Sequence, residues 1–552
     1  MRRVSAPAQD DPTPPPWGPR ERRTLLQRLT SERPIWDLVV VGAGITGAGI
    51  ARDAALRGLS VLVIEAQDVA FGTSSRSTRL IHGGVRYLEQ REFGLVYEAL
   101  RERARLYEAA PHLVRPARFL FPAYRGDRLG PWMLRLGLTL YDTLNFHRGQ
   151  GHDYLDPEAT RTAEPMLRAE GLRGAVQYED AVTDDARLTL AILSDARRHG
   201  AEVLTYAKVT GIAGPRGEHM VTLEDGTTIA AKVVTLAAGP WTGPALLGAR
   251  GEGLLSLSKG THIVVRSVDA PVRQPLVIQA PEQRRILFVV PWGTRTYLGT
   301  TDTAYEGDPG ASGVTSEDED EILDITRRVL PGARLDRDAI VSTWSGVRPL
   351  VRAEGAASDD TVELSRKHRI VERDDGVLAI VGGKLTTYRA MSEDIVDDVV
   401  ARLLVTWPQS RPKPAACSTQ TRPLVPGTPP DAHELEEPLL ADLVPRHGAA
   451  ARSLAQSGRG AERLVDDLPY RWCEVDHAIA HEGVCHVIDL VRRRLPLVLT
   501  DRAQGAHVVR RVAERMVEAA GGSQVDIDAE LERYRHEVHV ETGRTPDVDA
   551  TR

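Results

Sequence analysis

Cysteine is nearly absent from this sequence: Cys417, Cys473 and Cys485 are its only three. Thiols so few in a chain of 552 residues cannot build a disulfide framework, which indicates a reducing, cytoplasmic setting. Lysine is also rare, supplying six of the 70 Lys and Arg residues. Where arginine is the default cation, each lysine is more apt to be held by chemistry that needs a compact ammonium. No uncharged apolar run reaches the roughly 18 residues of a spanning helix, and the N-terminus lacks the apolar core of a signal peptide. Gly and Pro are too few for collagen or bulk disorder. Positive charge is not in excess: the net charge is −7 and no strongly basic segment stands out, so nucleic acid is not an expected partner. What is present, 42% hydrophobic and 27% charged residues, describes an ordinary soluble chain. At about 150 residues per domain it holds material for three to four domains.

Composition shifts divide the chain. Residues 1–34 read as a disordered, proline-rich arm, with Pro12, Pro14, Pro15, Pro16 and Pro19 opposing regular structure and a short basic amphipathic stretch, Arg20 to Arg28, whose only apolar contributors are Leu25, Leu26 and Leu29. Order is expected from Trp36. Residues 35–405 mix β-branched apolar runs with helical stretches, which indicates α/β or α+β architecture. Seven prolines between Trp407 and Pro430 make 406–430 a linker, or a chain lying extended across a surface. Residues 431–540 read as helical, with helices expected near 434–444, 446–457, 474–495 and 503–520, and 541–552 as a disordered tail.

Asp37-Leu-Val-Val-Val-Gly42 is a short apolar run ending in glycine, the pattern of a buried parallel strand. Gly42-Ala-Gly44-Ile45-Thr46-Gly47 then opens a helix, and a second apolar run, Ser60 to Ile64, ends in Glu65. Gly42 permits the tight turn, Gly44 lets the backbone approach a pyrophosphate, and Gly47 lets helix and strand pack closely. The free N–H groups of the helix start suit phosphate. Glu65 is placed to accept hydrogen bonds from ribose hydroxyls. Strand, glycines, helix, strand and acid in this order form a dinucleotide site that leaves NAD and FAD open. Two further glycine-ended strands favour FAD: Val233-Val-Thr-Leu-Ala-Ala238-Gly239 and Leu378-Ala-Ile-Val-Gly382-Gly383-Lys384. A long ligand touching strand ends at 42, 239 and 383 fits a flavin dinucleotide laid across one domain.

The segment Thr73-Ser74-Ser75-Arg-Ser-Thr-Arg-Leu80-Ile-His82-Gly83-Gly84-Val-Arg86-Tyr87-Leu resembles the stretch after the second strand in FAD-dependent, quinone-linked glycerol-3-phosphate dehydrogenases. Val182-Thr-Asp-Asp185-Ala-Arg-Leu, Lys259-Gly-Thr-His262, Gly299-Thr-Thr-Asp302, Ser345-Gly-Val-Arg348-Pro-Leu and Gly382-Gly383-Lys384-Leu385-Thr386-Thr-Tyr-Arg389 match the same family in order. The resemblance spans about 36 to 395. It continues loosely through the C-terminal helices, where Asp489-Leu-Val-Arg492-Arg493-Arg494 is similar to the family's basic helix end; the N-terminal arm lies outside the pattern.

The resemblance implies an α/β (mixed α+β) fold: a Rossmann-like FAD-binding domain, a substrate cap on an antiparallel sheet, and C-terminal helices. It implies oxidation of sn-glycerol 3-phosphate to dihydroxyacetone phosphate with reduction of FAD. Electrons then pass to a membrane quinone, or to oxygen in the related oxidases; a non-catalytic flavin-binding scaffold is the reading from another class. FAD would be held by Gly42, Gly44, Ile45, Thr46, Gly47, Glu65 and Ala66, then by Thr73, Ser74, Ser75, Leu80, His82, Gly83 and Gly84. Ala238, Gly239, Gly383, Lys384, Leu385 and Thr386 complete that set. The expected partners are the phosphorylated substrate, a quinone at the inner membrane face and, as an open alternative, a second copy of the chain.

Substrate chemistry asks for cations for the phosphate, a base for the hydroxyl proton and a flavin face for the hydride. Arg348, stiffened by Pro349, suits bidentate phosphate contact. Lys384 sits at a strand end near the expected flavin ring, and Arg86 and Tyr87 follow the Gly83-Gly84 pair; by resemblance all four belong to the substrate pocket. His82 and His262 are the two candidate bases, since histidine accepts a proton near neutrality. Asp302 either orients one of them or is a turn residue. His477, His481 and Cys485 recur at i, i+4, i+8, but the apolar neighbours Ile479, Val487, Ile488 and Val491 favour a core face over a metal site, and no metal is expected. Pro131 to Tyr141, apolar over most of its circumference, is either a membrane-contacting helix or one buried under the cap. Arg492 to Arg494 are expected as a basic edge for the same membrane.

Overall fold

Residues alternate in side along Ile35–Val41 and Val61–Ile64: Leu38, Val40, Val61 and Val63 join one buried cluster, and Val39, Val41, Leu62 and Ile64 join another. A strand apolar on both faces must be covered on both. In the computed structural model, which describes residues 13–84, 92–144, 151–280, 285–352, 367–431, 433–457, 460–521 and 526–548, helices cover one face, and the helix Pro19–Ser31 with the antiparallel strands Val209–Ala213 and His219–Leu223 covers the other. The strands Leu378–Val381, Thr228–Leu236, Ile35–Val41, Val61–Ile64 and Glu202–Leu204 lie side by side in that order, all parallel. Arg369–Glu372 closes one edge antiparallel.

The second sheet is the cap. Its long strand Leu255–Arg266 runs antiparallel to Ile340–Val351, pairing His262 with Trp344 and Ser258 with Arg348, and antiparallel to Arg295–Gly299 on its other side. The expected antiparallel cap is present, with one difference. Val114–Tyr124 meets Leu276–Ala280 in parallel at Leu120↔Leu276. The expected α/β fold with a helical C-terminal region is the one observed.

The N-terminal arm is corrected over its described part. Pro19–Ser31 is a helix with proline in its first turn, where the missing N–H costs nothing. Leu25 and Leu29, one helical turn apart, are buried against the sheet. The prolines before it form a strap: Trp17 is buried, its N–H donates to the Ala480 carbonyl (2.8 Å), and its own carbonyl accepts from Gly483 (2.7 Å).

Residues 407–430 carry no helix or strand and lie along the nucleotide-binding sheet's helices. There the Leu424 N–H donates to the Ala109 carbonyl (2.8 Å) and that of Ala415 to the Arg57 carbonyl (3.0 Å). The helix expected over 474–495 is broken. Trp472–His481 ends before Gly483, whose φ of +65° and contact with the Trp17 ring suit glycine alone. A π-helical turn, Leu490–Arg494, follows. Of the expected disordered tail, 541–548 are described and are corrected: the helix Ile527–Thr542 runs into them and Val548 is buried, while 549–552 lie outside the described residues. No helix among the described residues is long and apolar enough to cross a membrane.

Candidate active site

The C-terminal ends of the parallel strands open into a cavity of about 1000 Å³ that continues beneath the cap sheet. At its floor the chain turns at Gly42 with φ +109°, where a Cβ would lie 2.5 Å from the Ala237 carbonyl oxygen. Gly47 does not line the cavity; a Cβ there would sit 1.9 Å from the Gly42 carbonyl oxygen, so this glycine serves helix–strand packing. Ile45–Leu56 starts at Gly44 with no side-chain cap, aiming its first turn into the cavity, and Ser74 Oγ accepts the Ile45 N–H at 2.9 Å. Glu65 closes the second strand; its carboxylate accepts the Ala43 N–H (2.7 Å) and the Gln67 N–H (2.9 Å), and burial raises its pKa. The cavity's length, glycine floor and open helix start fit a dinucleotide with a flavin.

Most of the expected cofactor residues meet here. Ala66, Thr73, Leu80, His82, Gly84, Ala238, Gly239, Gly383, Lys384, Leu385 and Thr386 line the same cavity as Gly42, Gly44, Ile45, Thr46 and Glu65. Ser75 and Gly83 do not. Ser75 is buried behind the loop, and Gly83 donates its N–H to Tyr141 Oη at 2.8 Å. Arg86 and Tyr87 lie outside the described residues.

Cap strands supply the far end. Arg348 reaches back to Thr300 Oγ1 (3.0 Å) and Ser258 Oγ (3.4 Å), with Asp302 Oδ1 at 3.5 Å. Asp302 accepts the Ser258 hydroxyl and faces Arg348. His262, 1% exposed, stacks on Trp344 at 4.6 Å and 10°. Its Nδ1 is sealed from solvent without a hydrogen-bond partner among the described residues, whereas Nε2 lies 3.0 Å from Oγ1 of cavity-lining Thr78. Burial, reinforced by the nearby Arg348 and Arg79 cations, holds its pKa well below the histidine range, so the ring is neutral. The His82 backbone ties the glycine loop to the third nucleotide-binding strand: its N–H donates to Thr386 Oγ1 (3.3 Å), and Thr386 donates to its carbonyl. Lys384 precedes the turn Leu385–Thr387 that opens helix Tyr388–Val405.

Sequence reasoning missed Arg285 and Thr78. Arg285, buried and ion-paired with Glu321, also lines the cavity; its only signal is a charge opening an apolar run. Lysine rarity misleads at Lys259, which is buried in an ion pair with Asp318 (2.6 Å). His477, His481 and Cys485 do not converge: the first two rings stack at 5.0 Å, and Cys485 turns to Thr205. His447, His477 and Glu482 do cluster, but Arg187 already holds Glu482 at 2.8 Å and Glu474 holds His447 at 2.9 Å. The expected basic membrane edge is overturned. Arg492, Arg493 and Arg494 are at most 3% exposed, each paired with a buried carboxylate, so none can meet lipid.

The family model of the FAD-dependent oxidoreductases matches residues 37–389, and that of the C-terminal domain of alpha-glycerophosphate oxidase matches 378–526. The chain belongs to the FAD-dependent glycerol-3-phosphate dehydrogenase family. It is 40% identical over 393 residues to the aerobic glycerol-3-phosphate dehydrogenase of Staphylococcus aureus, covering 69% of this chain and 70% of that one. The crystal structure of the glycerol-3-phosphate dehydrogenase from Bacillus halodurans complexed with FAD is 28% identical, with a TM-score of 0.73 over 95% of this chain and 98% of that one. The L-alpha-glycerophosphate oxidase of Mycoplasma pneumoniae, at 18% identity and a TM-score of 0.53 over 68% and 96%, shares the fold. As a member of this family the chain is an FAD-dependent oxidoreductase.

Proposed function

We propose that the protein oxidises sn-glycerol 3-phosphate to dihydroxyacetone phosphate and passes the electrons to a membrane quinone. The observation that carries this reading is that Arg348, His262, His82 and Lys384 line one cavity with the glycine floor. Bound FAD supplies the hydride acceptor. Arg348 takes the substrate phosphate, with Lys384 as second cation and Arg86 and Tyr87 as the expected remaining contacts. Neutral His262 receives the hydroxyl proton at Nε2, the nitrogen beside Thr78, while the hydrogen on the same carbon leaves as hydride. His82 holds the glycine loop against Thr386.

The quinone is supported by helix Pro131–Leu144. Leu134, Leu138 and Tyr141 are buried, while Trp132 (76% exposed), Leu136 (59%) and Leu140 (37%) form a stripe facing outward. The helix thus has one buried and one exposed apolar face, and an outward apolar stripe suits shallow insertion at a membrane surface.

An anaerobic spectrum tests the reading. Glycerol 3-phosphate should bleach the oxidised flavin bands, and glycerol at the same concentration should not. Unchanged bands with both would refute catalysis; fast reoxidation by air with stoichiometric peroxide would replace quinone with oxygen.

A further inference from the structure

The three arginines that cannot reach a membrane have another destination. The Asp68–Arg76 loop has two faces. One lines the cofactor cavity through Phe71, Gly72, Thr73 and Ser74. The other is gripped by the C-terminal helices. Asp68, fully buried, receives both Arg493 Nε and Arg494 Nη1. Arg493 is in turn held by Asp489 (2.8 Å), and Arg494 by the Glu482 carbonyl (2.6 Å). At the other end of the loop, Arg492 donates to the Ser75 carbonyl (3.3 Å) and to Glu541 (2.8 Å), and Glu541 also faces Arg76 at 3.7 Å. Burial pushes the Asp68 carboxyl up, but the two guanidiniums override it and hold it below its ordinary value; Arg492 and Arg76 likewise hold Glu541 down to about 2. From helix Ile527–Thr542, His536 and Val540 reach the cavity wall itself.

We propose that the C-terminal helical region is a clamp for FAD: Arg492, Arg493, Arg494 and Glu541 are positioning residues that fix the Asp68–Arg76 loop in its cofactor-holding shape. The proposal rests on the assignment of this loop to the cofactor made above. Buried ion pairs are poor sources of stability but demand one geometry, because removing either partner strands a charge out of water. The loop therefore keeps its shape only while the helices are docked. By linkage the reverse also holds: FAD that requires this loop shape favours docking of the helices.

The test is FAD affinity, read by flavin fluorescence on reconstituting the apoprotein. Arg494→Met and Glu541→Gln should each raise the FAD Kd at least tenfold. Leu443→Ala, a cavity in the small cluster of Leu440, Leu443, Ala451 and Leu454 within the C-terminal helices, loses stability without touching the loop and should stay within twofold. Clamp variants within twofold of the parent, or a Leu443→Ala loss as large as theirs, would overturn the clamp. Gly44→Val separates the two assignments: if it loses FAD while the clamp variants keep it, only the clamp fails; if it too keeps FAD, the placement of the cofactor fails as well. Should Arg494→Met not fold, the unmodified chain still decides. FAD should slow amide exchange in 487–494 and 527–542 well beyond 438–456, and equal slowing, or none, would refute the coupling.

Discussion

Glycerol and glycerol 3-phosphate share an oxidisable alcohol and differ by a dianion, which makes Arg348 separable from the rest of the site. Its guanidinium is preset by Thr300 and Ser258, with Asp302 at 3.5 Å, and this planar fork lines the cavity. Losing a charged partner in a partly dry pocket costs about 2–5 kcal/mol, or roughly 30-fold to several-thousand-fold in kcat/KM. We expect Arg348→Ala to lose that much with glycerol 3-phosphate and little with glycerol, and Arg348→Lys to remain impaired; equal losses with both substrates would remove Arg348 from the phosphate site. A second residue reports through pH. Burial, with Arg187 and His447 adding to it, lowers the His112 pKa from 6.5 to about 4. The unfolded chain then binds the proton that the folded chain refuses. This contribution is fully present above pH 6.5 and is lost as pH falls towards 4, with a slope of up to about 1.4 kcal/mol per pH unit. His112→Gln should flatten the dependence of the urea midpoint on pH within that window, and an unchanged slope would show that the ring is not buried neutral.

At the scale of elements, the 131–144 helix offers the cleanest separation of surface from core. Trp132, Leu136 and Leu140 belong to no buried cluster, so replacing each of them with serine should change the unfolding free energy from urea titration by no more than about 0.5 kcal/mol per site. Burial of such side chains in lipid would be worth about 1.5–3 kcal/mol each, so the variant with all three replaced should stop pelleting with membranes while keeping turnover with a soluble acceptor. Retained pelleting would exclude this helix as the anchor. The N-terminal helix makes the opposite case: Leu29, 2% exposed, should cost about 2–5 kcal/mol as alanine, measured by urea unfolding. The two elements were not equally legible. A helix apolar on most faces announces contact on two sides but not which side meets protein. The 19–31 helix shows in the sequence only as a short amphipathic stretch in a proline-dominated neighbourhood, and the sheet face waiting for Leu25 and Leu29 reveals why it is ordered. Its strap also breaks the 474–495 helix, an effect that Gly483 hints at and Trp17 explains.

Across the whole molecule, what could be read in the sequence was what is local. Gly42, Gly44, Gly47 and Glu65 declare the nucleotide site because their partners lie within about one strand–helix–strand unit. Arg494 and Asp68 stand 426 positions apart, so the basic run looked like a surface edge until the fold brought a carboxylate to it. Ser258, Thr300 and Thr78 were invisible as the groups that set Arg348 and His262 for the same reason. This division gives a last prediction, one that separates fold from cofactor. A Cβ on Gly47 would collide with backbone at 1.9 Å, whereas one on Gly44 meets only the Ser74 hydroxyl at 3.1 Å. Gly47→Val should therefore fail to fold, and Gly44→Val should fold yet deny FAD its backbone approach. Ligand bound only to the folded state stabilises it by about 2.7 kcal/mol at a hundredfold excess over Kd. Added FAD should accordingly raise the melting temperature of the parent apoprotein and leave that of colourless Gly44→Val where it was. A Gly44→Val protein that is yellow and stabilised by FAD would move the pyrophosphate away from the Ile45–Leu56 helix start.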